Sequence, residues 1–192
     1  ALPITLQEIS MSQKTVAVVV GSIRKESFNR QFAEALVKQF PTELKAQFIR
    51  IDDLPLYNQD DDGNPAPQVT RLRGEIKAAD AVLFVTAEYN RSIPGVLKNA
   101  IDHASRPWGK SVWGGKPVGV VGVSVGAAGT CMAQQHLRNV ISYLNMPQFG
   151  QPEMFIQWKE GLVKDGAIGP DSKDFVQKYV DTFAAWVKKQ VG

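Results

Sequence analysis

An open parallel α/β sheet with helices on both faces is the fold class the sequence predicts, and two observations predict it. The segments Val16–Val20, Ala81–Thr86 and Pro117–Val123 are almost entirely apolar and do not alternate, the pattern of strands buried on both faces rather than of half-exposed antiparallel strands. Each is followed by a polar turn and then by residues with helical spacing, and such strand–helix alternation builds parallel crossover units. In sheets of this kind ligands bind beyond the carboxyl ends of the strands. The turns 21–29, 87–93 and 124–129 occupy that position, and each carries glycine or amide side chains.

Taken in order, the first strand gives way at Gly21 to a helical pattern over Asn29–Phe40, and Ala46–Ile51 reads as the second strand. Asp52–Pro67 is a loop rich in Asp, Pro and Gly, of a length that is usually functional or mobile. Val69–Ala79 has helical spacing and leads into the third strand. Pro94 stands where a first helical residue would, ahead of Val96, Leu97, Ala100, Ile101 and Ala104. The fourth strand ends in Ser124-Val125-Gly126-Ala127-Ala128-Gly129, with a helix predicted from about Thr130 to Leu144. A short strand near Glu153–Ile156 and a terminal helix over Asp171–Val191 complete a five-stranded domain.

A chain of 192 residues that is 44% hydrophobic can bury one substantial core, and nothing in it requires a second domain. Residues 1–10 precede Met11 and are expected to be a remnant outside the domain, which then spans 11–192. No run approaches the length of a membrane span and no secretory pattern opens the sequence, so no membrane partner and a cytoplasmic location are expected. Cys131 is the single cysteine, which excludes an internal disulfide and offers no ligand-spaced set for a metal. The net charge of +3 is spread along the chain, without the dense basic run of a nucleic-acid binder. Trp108 and Trp113 flank a loop containing Gly and Lys, where a lid or subunit contact is expected rather than core packing. His103 and His136 lack ligand-spaced partners, and packing or surface roles are expected for both.

The turn Gly21-Ser22-Ile23-Arg24-Lys25-Glu26-Ser27-Phe28-Asn29 has the chemistry of a phosphate site. It leads into a helix N-terminus, where unpaired N–H groups and the positive end of the dipole favour an anion. Ser22, Ser27 and Asn29 can donate hydrogen bonds, and Arg24 can form a charged clamp. Only Gly21 is present of the three glycines a dinucleotide fingerprint needs, so a monophosphate held by side chains fits better. Two other motifs compete. Gly122-Val123-Ser124-Val125-Gly126 matches a nucleophile elbow, but the only later histidine, His136, lies in the next helix, which leaves a Ser124 esterase without a general base in the required order. Gly109-Lys110-Ser111 lacks the upstream glycine and strand of a nucleotide-binding loop.

The first turn together with Glu88-Tyr89-Asn90 and Pro94-Gly95-Val96-Leu97-Lys98-Asn99-Ala100-Ile101-Asp102 resembles the NADPH-dependent FMN reductase family, most closely its bacterial chromate and quinone reductases. The resemblance covers about Val16 to Phe155. It implies a flavodoxin-like fold, non-covalent FMN, NADPH or NADH as co-substrate, and ping-pong reduction of quinones, chromate, azo compounds or free flavin. It further implies that Ser22, Arg24, Ser27, Phe28 and Asn29 hold the FMN phosphate. Glu88, Tyr89 and Asn90 would line the isoalloxazine ring, and Ser124 with Gly126 would close its other edge. No protein residue is then an obligatory catalyst, because the flavin carries the chemistry. A homodimer or homotetramer is implied as well. The family pattern has Pro where this chain has Ala87, which is expected to loosen the flavin turn, and an aromatic, usually Trp, where it has His103, a departure that bears on an outer helix face. The alternative is a flavodoxin-like one-electron carrier with a protein partner.

Overall fold

The computed structural model describes residues 13–192; the expected remnant 1–10 lies outside the described residues. Strands β1 (Lys14–Gly21), β2 (Leu44–Phe48), β3 (Ala81–Thr86), β4 (Val118–Ser124) and β5 (Phe155–Gln157) form one parallel sheet in the order β2-β1-β3-β4-β5. Helices α1 (Phe28–Leu36), α2 (Pro67–Ala78), α3 (Gly95–Ala104), α4 (Cys131–Tyr143) and α5 (Pro170–Val191) cover it. This is the doubly wound parallel arrangement that the strand–helix alternation predicts, in the flavodoxin-like order that the family resemblance implies.

The unbroken apolar runs have a direct cause. Val16, Val18 and Val20 pack with Phe32 and Leu36 of α1 and with Val180 and Phe183 of α5, whereas Ala17 and Val19 pack on the opposite face with Leu72, Leu97 and Leu137 of α2, α3 and α4. Both sides of the pleat are dry, so no polar residue is called for.

Four local features differ from the sequence expectations. Helix α1 ends at Leu36 and tightens into a 3-10 turn over Val37–Gln39. β2 pairs over Leu44–Phe48, two residues ahead of the expected run, because Ile49 and Ile51 are buried past the last paired residue. A two-stranded hairpin, β6 (Val163–Lys164) with β7 (Ala167–Ile168), stands where no strands were expected. Its turn residues Asp165 and Gly166 both have positive φ, 50° and 71°, the primed geometry for which Asp-Gly is the characteristic sequence. Trp113 corrects the expectation of a lid or subunit contact: it is fully buried, 5.6 Å from Phe84, and its Nε1–H donates to the Ile101 carbonyl at 3.0 Å. Trp108 is 75% exposed.

The 52–67 loop is tied down by α3. Asn99 accepts from the Tyr57 N–H at 2.8 Å and donates to the Pro55 carbonyl at 2.8 Å. His103 is buried and its Nε2 lies 2.8 Å from the same carbonyl. The position where the family pattern carries an aromatic is thus a packing position that also fastens a loop.

Candidate functional site

Because β1, β3 and β4 are neighbours in the sheet, their following turns rise side by side from its carboxyl edge. The Ala87 N–H donates to the Gly21 carbonyl at 3.4 Å and joins the first two turns. The Trp158 N–H donates to the Ser124 carbonyl at 2.7 Å, and Gln157 Nε2 to the Val125 carbonyl at 3.0 Å, joining the third turn to the end of β5.

In the first turn Ser27 is the N-cap of α1, its buried hydroxyl accepting from the Arg30 N–H at 3.1 Å. That occupies one lone pair and leaves its O–H as a donor. The Phe28 and Asn29 N–H groups, at the first two helical positions, lack intrahelical partners by geometry. Arg24 is exposed, bonded to the Glu26 carbonyl, and its guanidinium lies 4.7 Å from the Phe28 ring centroid. It has no ion-pair partner among the described residues. The Phe28 ring stacks on Trp158 at 4.4 Å and 18°. Ser22 and Arg24 also line a crevice of about 420 Å³ on the β2 side of the turn, with Arg30, Arg50 and Asp52. There Arg50 hydrogen-bonds Asp52 and holds its carboxyl below the usual range, chiefly through that bond.

Asn29 behaves differently from the implied phosphate ligand. Its carboxamide is buried, donating to the Val123 carbonyl at 3.0 Å and accepting from the Val123 N–H at 2.9 Å. The β3 partners of β4 run out after Val121, and the Asn29 amide takes the place of a further peptide unit. Both functions of the side chain are therefore committed to β4, and the backbone N–H is what Asn29 has to offer an anion.

The second turn is a two-residue hairpin. Tyr89 and Ser92 exchange N–H···O bonds of 2.9 and 3.0 Å, and between them Asn90 and Arg91 have φ of 52° and 64°. Left-handed geometry at two successive non-glycine residues, one of them arginine, is costly. Glu88, just before it, points at α4: its Oε2 accepts from the Ala133 N–H at 3.0 Å and Oε1 lies 3.4 Å from Arg91 Nη1. Helix α4 has no side-chain cap of its own, since Thr130 makes none, and Glu88 supplies an acceptor from another turn at the positive end of the dipole. Its carboxylate is thus engaged in the fold. Tyr89 is exposed.

In the third turn the Gly126 N–H donates to Ser124 Oγ at 3.1 Å. His136 pairs with Ser92 and not with Ser124, so among the described residues Ser124 has no histidine partner and the geometry of a serine nucleophile is missing. Gly129 has φ of 59°, and a Cβ there would stand 2.7 Å from the Ile156 N; turn and edge strand meet too closely for any side chain. The sequence reading did not single out Trp158, nor the contacts that Glu88 and His136 make. Trp158 follows a strand end at the ligand edge, a signal that was available. The roles of Glu88 in capping α4 and of His136 in holding Ser92 have no local sequence signature.

The donor set fits a phosphorylated, carbonyl-rich cofactor: a guanidinium without an ion-pair partner among the described residues, a hydroxyl, helix N-terminal N–H groups and a hairpin tip. Among the described residues no cluster of His, Cys, Asp and Glu could hold a metal ion, and no helix is long and apolar enough to cross a membrane.

A family profile described as NADPH-dependent FMN reductase matches residues 14–160. A 2-hydroxy-1,4-benzoquinone reductase of a Burkholderia species is 49% identical over 176 residues, covering 90% of this chain and 96% of that protein. A quinone reductase of Escherichia coli is 40% identical over 173 residues, with 88% of each chain covered. Among solved structures, the flavoenzyme NAD(P)H:(acceptor) oxidoreductase FerB of Paracoccus denitrificans superposes with a TM-score of 0.88 at 42% identity, covering 92% of this chain and 98% of that one. Three turns converge on one sheet edge, a phosphate-type turn leads into α1, and the profile spans most of the chain; the chain belongs to the NADPH-dependent FMN reductase family.

Proposed function

We propose that this chain binds FMN at the three turns and works as an NAD(P)H-dependent reductase of quinones and similar two-electron acceptors, by a ping-pong sequence. The convergence of the turns after β1, β3 and β4 carries the reading, supported by relatives named for quinone reduction. FMN, when bound, supplies the hydride-accepting and hydride-donating chemistry. The chain's own residues bind and orient it. Ser22, Arg24, Ser27 and the N–H groups of Phe28 and Asn29 would hold the phosphate; Tyr89, Asn90, Ser124 and Gly126 would frame the ring, with Glu88 acting through the backbone it fixes. The N–H dipoles of the second and third turns would face negative charge without reorganising, by the logic of an oxyanion hole. Chromate, azo compounds and free flavin are the further acceptors of this reading, and NADPH the favoured co-substrate.

A cytoplasmic homodimer or homotetramer completes the proposal. Its support is a groove of about 680 Å³ between α3 and α4, lined by Trp108 and Tyr143, which are both exposed.

The test is an anaerobic visible spectrum of FMN-loaded protein during stepwise addition of NADPH. Direct bleaching of the yellow band to the two-electron reduced form, reversed by a stoichiometric quinone, is expected. A protein that binds FMN yet stays oxidised would refute the reductase reading in favour of the electron carrier.

A further inference from the structure

The hairpin 89–92 is held in a geometry its sequence disfavours, and what holds it comes from α4. Ser92 Oγ and His136 Nδ1 are 2.6 Å apart, within hydrogen-bond distance, and with the proton on Nε2 the hydroxyl donates to Nδ1. One turn earlier on the same helix the Ala133 N–H reaches Glu88 at 3.0 Å. The two contacts grip the hairpin on both sides of its tip, at Glu88 before the left-handed pair and at Ser92 after it. The tip itself, Asn90 and Arg91, is exposed, and its two N–H groups find no acceptor among the described residues while those of Tyr89 and Ser92 are paired. Backbone held in a sparsely populated region, with unspent donors at its tip, marks a segment whose shape serves a ligand.

We infer that His136 is a positioning residue for the cofactor turn: through Ser92, and together with Glu88, it locks the 89–92 hairpin in its left-handed form and so presents the Asn90 and Arg91 N–H groups as fixed donors. The inference rests on the FMN reading for the identity of the ligand, but the lock itself is a property of the protein alone. Without it the Asn90–Arg91 pair relaxes toward ordinary negative φ, the two hairpin bonds open, and the ligand must supply the ordering.

The experiment combines His136→Leu, Ser92→Ala, their double variant, and His136→Asn, whose amide oxygen replaces the Nδ1 acceptor. Amide hydrogen exchange of Tyr89 and Ser92 is read in the FMN-free protein, and FMN affinity is read by flavin fluorescence quenching. His136→Leu and Ser92→Ala should each speed exchange of those two amides and raise the FMN Kd by about tenfold, the order expected for one lost hydrogen bond. The double variant should be no worse than either single one, and His136→Asn should restore most of both quantities. Additive effects, or unchanged exchange at Tyr89 and Ser92 in both single variants, would overturn the assignment. Wild-type protein that fails to bind FMN would defeat the functional reading, while the exchange data would still decide the lock.

Discussion

Replacing Asn29 tests whether its carboxamide belongs to the fold or to the ligand. Asn29→Ala removes two buried hydrogen bonds of 3.0 and 2.9 Å and leaves the Val123 carbonyl and N–H without partners. Each unpaired buried group costs about 1–3 kcal/mol, and partial access of water to the vacated space brings the expected total to about 3 kcal/mol. For a domain of this size each kcal/mol lowers Tm by roughly 2–4 °C, so a fall of about 6–12 °C is expected. The assay is thermal and urea unfolding of the FMN-free protein, with FMN affinity measured separately. Asn29→Asp sharpens it. A carboxylate can accept from the Val123 N–H but repels the Val123 carbonyl, whereas the protonated carboxyl can donate to it; the folded state therefore raises the pKa of the new group. Stability relative to wild type should then be recovered as pH falls through the carboxylate range and lost as pH rises. If Asn29→Ala leaves Tm within about 2 °C while FMN binding collapses, the carboxamide faces the ligand and the placement argued here is wrong.

Arg24→Ala should weaken FMN binding by about 10–100-fold, the worth of a charge-assisted phosphate contact, while turnover at saturating FMN changes little; unchanged affinity would remove Arg24 from the phosphate site. Tyr179 is wholly buried with no hydrogen-bond partner for its hydroxyl among the described residues, and burial pushes the phenol up. Tyr179→Phe should therefore stabilise the protein by about 1 kcal/mol at neutral pH. Because the folded pKa lies above the unfolded one, the wild type should lose stability as pH rises through about 10, and the phenylalanine variant should lose less; a destabilised variant at neutral pH would reveal a partner for the hydroxyl. Gly129→Ala should cost about 2–4 kcal/mol in urea unfolding, through both its positive φ and the approach of Cβ to β5, and a near-neutral result would show that β5 can move aside.

The fold was legible because its strongest signals are local and repeated: β1, β3 and β4 are apolar on both faces, and each announces its own turn. Turn positions followed from that, and with them the outline of the site. The hairpin β6–β7 was not read: Asp165-Gly166 is its turn signal, but its strands of two residues each are too short to alternate visibly. Beyond reach were the contacts that tertiary structure alone creates. Trp113 sits in a Gly- and Lys-bearing loop and still fills the core beside Phe84, since loop composition does not say which single side chain turns inward. Asn29 has the residue type of a phosphate ligand and is 94 positions from the strand it completes. Glu88 and His136 are separated from their partners by 45 and 44 positions, and no spacing rule spans such gaps.

The capping of α4 by Glu88 bears on how a protein of this kind diversifies. Position 88 answers to two demands at once, the stability of a helix and the shape of the turn, so a substitution that adjusted one would spoil the other. Tyr89, with an exposed side chain on the same turn, carries no such double duty. Change on this turn that leaves both intact is open to the Tyr89 side chain, while any change at Glu88 takes the acceptor away from the Ala133 N–H.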